Sequence, residues 1–552
     1  MKQFKKRYII LFGVLAFGLW SFTAPQNDKY FAIIKNLDIF ATLFKEVNAQ
    51  YVDEINPNTF VKTGIDAMMS SLDPYTRYYP EDQIEDVRTI STDQFGSIGA
   101  TFALRKGKIT VILPNGKVSY DSLGLHRGDE IIAVNGLDVK GDIERARGFL
   151  RGQSASSLQL KVLRQGQGEI DLDIQLSTEE EPNVPYYGMI SSDVGVIKQL
   201  GFTNGASLEV AQALEALKGQ GAEKIILDLR GNLGGLLNEA VNISNIFIPK
   251  GELVVDTRGK IEETNAVYKS LNDPVDLDIP VVVLTNSRSA SAAEIVAGVI
   301  QDYDRGVLVG QRSFGKGLVQ RTMPLSYNSQ MKVTIAKYYV PSGRCIQAIN
   351  YGARNPDGSV GKIADSLMTR FETRNGRPVY DGGGVAPDFE IDKRRFAPIT
   401  VGILAEDLFF DFGNAFESQI GEITSPKDFV ITDAVYNEFK SWLSDKEFSY
   451  TSPIEKQLIE LRIVAEQSGE LDQIASQLEG LEAAAKQDRN TDLDKNKEEI
   501  KFLLKEEFVT RFFFDQGRLE ASYQYDEDTK KALEVLADSE LYNKTLAGPG
   551  GQ

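Results

Sequence analysis

The segment PVVVLTNSRSASAAEIVAGVIQDY, residues 280–303, joins a short apolar run, a serine-rich turn and a second apolar run with helical spacing. Residues 281–284 are typical of a buried strand, and residues 292–300 are typical of a helix packed on a sheet. We therefore expect a strand that leads directly into a helix, with Ser291 at the junction. Ser291 and Glu294 also fit the [ST]-x-x-[DE] capping box, so a serine that only starts the helix is one interpretation.

The same alternation extends on both sides of this segment and predicts an α/β core over residues 179–395. Near-continuous apolar runs of strand type are GVIKQLGF, KIILDLRG, PVVVLTN and GVLVGQ. Helical periodicity is carried by SLEVAQALEALKGQ, LLNEAVNISNIF and AAEIVAGVIQDY.

The flanking regions differ from this core in their pattern of apolar, glycine and charged residues. Residues 27–90 have apolar positions at helical spacing, which predicts an N-terminal helical segment. Residues 91–178 contain short β-type runs separated by glycines and predict a β-rich domain. After residue 395 the strand signals fade, and long charged amphipathic stretches predict a helical C-terminal domain over residues 396–552.

Residues 1–24 have the character of an export signal. Basic residues precede the apolar run YIILFGVLAFGLW, which has about the length of a signal-peptide core. The small-residue cleavage site is weak, because the bulky Phe22 precedes Ala24 by two positions. We expect an exported, periplasmic protein whose N-terminal segment is either removed or kept as an anchor in the inner membrane.

The composition limits the chemistry of the chain. At 552 residues it is long enough for about three or four domains. The net charge of −18 argues against nucleic-acid binding, because no basic excess is available to replace phosphate counterions. A single cysteine and a single histidine exclude an intramolecular disulfide and a cysteine-cluster metal site, so we expect no metal.

Three motifs of the α/β core carry candidate chemistry. The first is DLRGNLGG, 228–235, whose paired glycines suit either a tight turn or outward-pointing amides that bind an anion. The second is the serine turn, where Ser291 and the amide of Ala292 lie at the positive end of a helix dipole. The third is SFGKGLVQ, 313–320, in which Lys316 stands between two glycines.

The histidine count restricts how Ser291 could be activated. A serine–histidine–aspartate triad needs a histidine beside the serine, and His126 belongs to the β-rich region. Lys316 can serve as the base if burial lowers its pKa from about 10.4 to near 7. Gln320 could hold the amine, because an even separation puts both side chains on one face of an extended chain. An ordinary surface lysine remains the alternative.

The β-rich region resembles a PDZ domain in the block LGLHRGDEIIAVNG, 123–136. QFGSIGATF, 94–102, would then hold the loop that binds a peptide carboxylate. Successive amides in such a loop form an anion nest, and the bound peptide extends the sheet as an added strand. The residues expected in this loop are Gly96, Ser97, Ile98 and Gly99. A generic β-barrel module is the alternative.

The motifs together resemble the carboxyl-terminal processing proteases, also called tail-specific proteases, over about residues 35–395. The matching segments are SLDPYT, the PDZ-like block, DLRGNLGG, SASAAEIVAG, QDYDR, FGKGLVQ, YYVPSGRCIQ and GGGVAPDFEI. The helical C-terminal region resembles extensions in homologues from the Bacteroidetes. The chain departs from the family at Leu233, where proline is frequent, and at Ala293, where serine is frequent.

The resemblance implies roles for individual residues. The separation between the family's serine nucleophile and lysine base selects Ser291 over Ser287 and Ser289. Gln320 matches the glutamine that orients the lysine. The oxyanion donors match the amide of Ala292 and one of the pair Gly234 and Gly235. Asp302 matches an acidic position of the family and is interpreted as structural, because it lies about three helical turns beyond Ser291.

The implied protein is an exported endopeptidase with a crotonase/ClpP-like α/β protease core, an inserted PDZ domain, and helical segments at both ends. It would act without cofactors on proteins with apolar, flexible C-termini. The C-terminal helices could form a homodimer or dock an adaptor. Two alternatives are a non-catalytic scaffold that binds tails through its PDZ domain and a crotonase-like enzyme acting on acyl thioesters.

Overall fold

The computed structural model describes residues 26–84, 95–96, 98, 100–114, 124–150, 152–153, 157–176, 182–355, 357–485 and 488–548. The chain forms two compact units. The smaller comprises residues up to Glu81 together with Met323–Lys332, and the larger comprises the remainder. The expected export signal, residues 1–24, lies outside the described residues.

The smaller unit is built on two helices, α1 (Gln26–Gln50) and α2 (Pro57–Ser70). Asn56 caps α2 by accepting the amides of residues 58 and 59. The predicted helical segment ends at Ser70, because Asp73 then accepts the amides of residues 75 and 76 in the turn of SLDPYT. The next element is a strand, β1 (Arg77–Tyr79), which pairs with residues 330–332, so the predicted N-terminal segment, residues 27–90, contains a short strand after its two helices.

The described residues of the β-rich module form eight strands and one helix. In chain order these are β2 Phe95–Gly96, β3 Ala100–Arg105, β4 Lys108–Pro114, β5 Glu130–Val134, β6 Leu137–Asp138, α3 Ile143–Leu150, β7 Gly152–Gln153, β8 Ser157–Arg164 and β9 Gly168–Gln175. Strands β3 to β6, β8 and β9 form one antiparallel sheet around an apolar core that includes Ile109, Ile131 and Leu160. Residues 124–129, which precede β5, form a turn.

The α/β core follows the predicted alternation. In chain order its elements are β10 Tyr186–Met189, β11 Val194–Lys198, α4 Ala206–Gly219, β12 Lys224–Asp228, α5 Leu237–Phe247, β13 Leu253–Gly259, β14 Ala266–Lys269, β15 Val281–Thr285, α6 Ala292–Asp302, β16 Val307–Gly310, β17 Leu318–Pro324, β18 Gln330–Tyr339, β19 Ile349–Arg354, β20 Val360–Lys362, β21 Arg370–Glu372, β22 Pro378–Tyr380 and β23 Phe389–Glu390.

The central sheet has the order β10-β11-β12-β15-β16-β23. Every neighbouring pair from β11 onward is parallel, and β10 is antiparallel to β11. Strands β11, β12, β15 and β16 are buried along their whole length except at Lys224, the first residue of β12. This is expected for a parallel sheet covered on both faces. The carboxyl ends of β12, β15 and β16 therefore meet at one edge, where the three motif-bearing loops begin.

The C-terminal region is helical, as predicted. Its helices are α7 Pro398–Ala405, α8 Leu408–Ile420, α9 Asp433–Ser444, α10 Pro453–Ser468, α11 Leu471–Ala485, α12 Arg489–Lys495, α13 Lys497–Ser522, α14 Glu527–Ala537 and α15 Ser539–Ala547. Helix α13 is kinked at Phe514, whose φ is 56°.

The two faces of the central sheet are covered by different parts of the chain. Helices α4, α5 and α6 pack on one face in a core that includes Val210, Ile243 and Val296. The other face is covered by the end of α13 and by α14 and α15, through residues such as Tyr523 and Val535. The last C-terminal helices thus complete the layers of the α/β core. A separate apolar core, rich in phenylalanine, is formed by residues of α7, α8, α9, α12 and the first part of α13.

The β-rich module is tied to these C-terminal helices by ion pairs. Arg127 contacts Glu507 of α13 at 2.9 Å, and Arg105 contacts Asp407 at 2.7 Å. The guanidinium of Arg105 also lies 3.6 Å from the ring centroid of Phe410. Arginine stacked on an aromatic face and paired with carboxylates suits a packed interface.

Candidate active site

The loops after β12, β15 and β16 converge at the carboxyl edge of the sheet. Ala290 donates its amide to the carbonyl of Asn232 at 2.9 Å, which joins the second loop to the first. Phe314 donates its amide to the carbonyl of Ser289 at 2.9 Å, which joins the third loop to the second. Crevices at the carboxyl ends of parallel strands are the usual ligand sites of such sheets.

Ser291 stands at the N-cap of α6 with an unusual backbone conformation. Its φ is 57° and its ψ is −115°, whereas an ordinary N-cap residue lies in the extended region. Conformations this sparsely populated cost about 1–3 kcal/mol and concentrate at active sites. The capping-box contact is also present, because Ser291 donates its amide to Glu294 Oε2 at 2.8 Å. Ser291 therefore starts the helix and holds a strained position that capping does not require.

Lys316 lies in the loop between β16 and β17, flanked by glycines that the packing requires. A Cβ at Gly315, whose φ is 87°, would collide with the side chain of Ala348. A Cβ at Gly317 would lie 2.9 Å from the amide nitrogen of Gln347. Lys316 itself is half-buried. The two glycines thus let the segment around Gln347 and Ala348 pack directly against the backbone that presents Lys316.

The carboxylate of Glu294 joins the main chains of Ser291 and Lys316. Its Oε2 accepts the amides of Ser291 at 2.8 Å and Lys316 at 2.9 Å. Its Oε1 accepts the amide of Gly315 at 2.7 Å and the hydroxyl of Ser313. Because one oxygen is shared, the backbone nitrogens of Ser291 and Lys316 lie no further apart than two hydrogen bonds. The sequence indicated Glu294 only as the partner in a capping box.

Glu294 is fully buried and has no cationic partner among these contacts. Burial raises its pKa to about 7, and the four donors oppose that rise only in part. Desolvation is the expected cause, since a low-dielectric interior disfavours the charged form.

The hydroxyl of Tyr338 forms a second bridge between the same two residues. It donates to the carbonyl of Lys316 and also lies 3.1 Å from the carbonyl of Ser291. Tyr338 is at the end of β18 and is almost completely buried. Two carbonyl acceptors require the neutral hydroxyl as donor. Tyr338 belongs to the YYVPSG segment that matched the family, but its role had no signal in the sequence.

The glycine pair in the first loop lies directly behind Ser291. A Cβ at Gly234, whose φ is 90°, would lie 2.7 to 2.9 Å from the carbonyl oxygen of Ala290, the amide of Ala292 and the Cβ of Ser291. No side chain fits there. Gly234 donates its amide to Asn232 Oδ1 at 2.8 Å. Gly235 runs beside Phe202, and a Cβ there would lie 2.6 Å from the Phe202 carbonyl oxygen.

Ala292 and Gln320 have clear places in the fold. Ala292 is the first residue of α6 and is buried, and its amide is one of those that no carbonyl within the helix can accept. Gln320 lies in β17 and is half-buried. Its amide donates to Thr334 Oγ1 on β18 at 3.3 Å. The proposed contact of Gln320 with the lysine amine stays a prediction.

Asp302, at the far end of α6, is fully buried and forms an ion pair with Arg344 at 2.9 Å. It also accepts the amide of Ser342 at 2.9 Å. Burial raises its pKa, while Arg344 acts in the opposite direction. The loop that these contacts anchor continues to Gln347, whose Oε1 accepts the amide of Gly317 at 2.8 Å. Asp302 thus supports the backbone beside Lys316 from a distance, in keeping with a structural role.

Only part of the expected carboxylate-binding loop is described. Gly96 lies in β2, which pairs with β7, and Ile98 is buried in the core of the β-rich module. Ser97 and Gly99 lie outside the described residues. Within the described part of the chain, no group of three or more histidine, cysteine, aspartate or glutamate residues has the arrangement of a metal site. No helix among the described residues is long and apolar enough to span a membrane.

The sequence is similar to that of known proteins. Residues 193–360 match a family described as "Peptidase family S41", and residues 399–536 match one described as "Probable PDZ-protease, C-terminal helical domain". The chain is 32% identical over 322 residues to a carboxy-terminal-processing protease of Bartonella bacilliformis, covering 57% of this chain and 73% of the relative.

Two further proteins show the range of sequence identity and coverage. The carboxy-terminal processing protease CtpA of Bacillus subtilis is 32% identical over 55% of this chain and 65% of its own length. Among solved structures, a photosystem II D1 C-terminal processing protease is 22% identical, with 64% of this chain and 92% of that chain covered and a TM-score of 0.36.

Proposed function

Because this chain belongs to peptidase family S41, with the carboxyl-terminal processing proteases, we propose that it is a serine endopeptidase with Ser291 as nucleophile and Lys316 as base. The observation that carries this proposal is the shared carboxylate oxygen of Glu294, which accepts the amides of both residues. A helix cap needs only the first of these contacts. The second contact, from the amide of Lys316, is expected only if the separation between Ser291 and Lys316 is important for the reaction.

The proposed chemistry is acyl transfer through the serine oxygen. The neutral amine of Lys316 takes the proton from the Ser291 hydroxyl as the oxygen attacks the scissile carbonyl. Lys316 then gives that proton to the leaving amine, and an acyl-enzyme remains. A water molecule, deprotonated by the same amine, attacks the ester and releases Ser291. No cofactor enters these steps. Gln320 is proposed to hold the lysine amine in place.

The oxyanion of the tetrahedral intermediate is proposed to be held by the amides of Ala292 and Gly235. Ala292 opens α6, so its amide adds to the positive end of the helix dipole. Of the two glycines, Gly235 is the better candidate, because the amide of Gly234 is already donated to Asn232. Gly234 is proposed to be the residue whose missing side chain leaves room for Ser291.

Substrate choice is proposed to rest on the β-rich module acting as a PDZ domain. Gly96 to Gly99 would bind the terminal carboxylate, and the tail would add a strand to the sheet. Apolar, flexible C-termini are the expected ligands. The wider assignment is a crotonase/ClpP-like core in an exported, periplasmic protein, soluble or anchored by residues 1–24. The C-terminal helices are proposed to offer a surface for a homodimer or an adaptor.

The test is cleavage of a disordered reporter that ends in apolar residues, beside the same reporter with a charged terminus. Wild-type full chain, Ser291→Ala and Lys316→Ala are compared, with Ser287→Ala as the control from the same loop. Ser287 is exposed and lies outside the contacts described above. We expect cleavage by the wild type and Ser287→Ala alone, faster for the apolar terminus.

Other outcomes separate the alternatives. Full activity of Ser291→Ala would remove the nucleophile assignment and return Ser291 to a helix cap. Binding of the apolar terminus without cleavage by any variant would favour the non-catalytic scaffold. Equal cleavage of both reporters by the wild type would keep the peptidase and remove tail recognition.

A further inference from the structure

Arg230, in the loop after β12, links that loop to the C-terminal helices. Its Nε and Nη2 donate to the two carboxylate oxygens of Asp228, at 3.0 and 2.8 Å. Its Nη1 donates to Asp526 at 2.6 Å and to Asp528 at 2.9 Å. Asp526 is the N-cap of α14 and Asp528 lies in the first turn of that helix. One guanidinium therefore joins a strand end of the core to a helix that begins almost three hundred residues later in the chain.

The partners of Arg230 form a dense charged network. Asp228 is buried and also accepts the hydroxyl of Tyr523 at 2.9 Å and an ion pair from Lys198 at 3.1 Å. The cations beside it hold the pKa of Asp228 below its ordinary value. Two of the three carboxylates that neutralise Arg230 and Lys198 come from α14. Removing the carboxylates of Asp526 and Asp528 would leave Arg230, which is only about one-sixth exposed, without part of its charge compensation.

The loop that Arg230 begins contains the proposed oxyanion donor. The main-chain carbonyl of Arg230 accepts Lys198 Nζ, and Gly231 donates its amide to Asn286 Oδ1 at 3.0 Å. Two residues later, Asn232 accepts the amide of Gly234 through its side chain and the amide of Ala290 through its carbonyl. Through Asn232, the backbone that begins at Arg230 is therefore connected to the glycine pair and to the backbone next to Ser291.

We propose that Arg230 is a positioning residue and that Asp526 and Asp528 of the C-terminal helices hold the oxyanion loop in its reactive shape. This rests on the proposed function of the same site. The C-terminal helices then act as a component of the active site, in addition to covering the sheet. Their loss or displacement lowers the rate of the chemical step while substrate binding by the β-rich module persists.

The test is the double variant Asp526→Asn, Asp528→Asn in the full chain. Asparagine remains an efficient N-cap, so α14 keeps its start while the negative charges are removed. Active sites are titrated with a serine-reactive fluorophosphonate, and turnover of the apolar reporter is expressed per titrated site. We expect kcat per site to fall at least tenfold, with KM changed less than twofold. The variant Asp528→Glu keeps the negative charge, and we expect its kcat per site to be close to that of the wild type.

The matched control is Glu482→Gln, which breaks the two-contact ion pair with Arg462 between α10 and α11. It is expected to leave kcat per site unchanged. Wild-type kcat per site in the double variant, with only the number of titrated sites reduced, would overturn the positioning role and leave a structural one. A wild type that neither labels nor cleaves would instead overturn the proposed function.

Discussion

Two helices of this protein start with the same motif, and only one of the two starts has the features of an active site. Ser452 and Glu455 open α10, as Ser291 and Glu294 open α6. In both, the serine donates its amide to the glutamate carboxylate, at 2.7 and 2.8 Å respectively. Ser452 has φ −69° and ψ 157°, the ordinary extended N-cap. Ser291, with φ 57° and ψ −115°, does not.

The glutamates differ as much as the serines. Glu455 is half-buried and its contact is with Ser452, its own cap. Glu294 is fully buried and accepts donors from the serine turn and from the loop that carries Lys316. The S-x-x-E pattern therefore predicts a helix start in both places. Burial, backbone strain and long-range contacts are what distinguish the proposed nucleophile, Ser291, from the helix cap, Ser452.

The largest difference is expected from replacing each glutamate by glutamine. In a capping box glutamine serves nearly as well as glutamate, so Glu455→Gln should change kcat/KM less than twofold. Each oxygen of Glu294 accepts two donors, so an amide group would face two donors on one side. We expect Glu294→Gln to lower kcat/KM about a thousandfold, equivalent to about 4 kcal/mol.

The measurement is reporter cleavage per fluorophosphonate-titrated site for both variants, with circular dichroism as the check of folding. If the two substitutions had similar effects, Glu294 would only complete a capping box, as Glu455 does. The bridge between Ser291 and Lys316 would then make no contribution to catalysis.

The next largest effect is expected in the pH dependence of stability that Glu294 contributes. Burial raises the pKa of Glu294 to about 7, above the ordinary 4.5 that it regains on unfolding. The folded state therefore keeps its proton between pH 4.5 and 7 while the unfolded state loses it, so the contribution to stability falls as pH rises through that window. The full difference is roughly 3 kcal/mol.

Urea unfolding of the wild type and of Glu294→Gln at pH 5 and pH 8 measures this contribution. The wild type should lose stability relative to the variant on going to pH 8. A constant difference would mean that the four donors keep Glu294 ionised throughout, against the direction expected from burial. Glu455→Gln is the control for the general effect of the substitution.

A smaller effect is expected at Tyr338, whose hydroxyl forms the second bridge between the backbones of Ser291 and Lys316. Tyr338→Phe removes the donor shared by the carbonyls of Ser291 and Lys316 and leaves the ring in place. One lost buried hydrogen bond is worth about 1–3 kcal/mol, so kcat should fall roughly tenfold, with KM nearly unchanged. The control is Tyr436→Phe, which removes an equally buried hydroxyl that donates to the Leu493 carbonyl in the helical domain.

Both phenylalanine variants should lose stability, and only Tyr338→Phe should lose kcat per titrated site. Equal kcat for the two would show that the Tyr338 hydroxyl contributes to folding alone.

The sequence was informative where the information is local. The strand–helix alternation located β11, β12, β15 and β16 and their helices, and the convergence of parallel strand ends brought the three motif loops to one edge. Contacts between distant segments had no such signal. Strand β1 depends on pairing with residues 330–332, Tyr338 reaches Ser291 across the core, and Asp526 meets Arg230 only because α14 covers the sheet. Pairings of this kind depend on tertiary packing, which periodicity does not encode.

The smallest effect is expected from Ser452→Ala, which tests what a plain cap contributes. The Ser452 hydroxyl accepts the amide of Glu455 at 3.1 Å, and loss of such a cap costs about 1 kcal/mol. Hydrogen exchange of amides in the first turn of α10 should accelerate about fivefold, as that free energy implies, while reporter cleavage stays unchanged. The sequence motif is the same at Ser452 and Ser291. Unchanged cleavage would therefore show that the motif alone does not make a serine important for activity, and that the surroundings of Ser291 do. A large loss of activity would instead mean that the start of α10 is coupled to the site, and the contrast between the two boxes would fail.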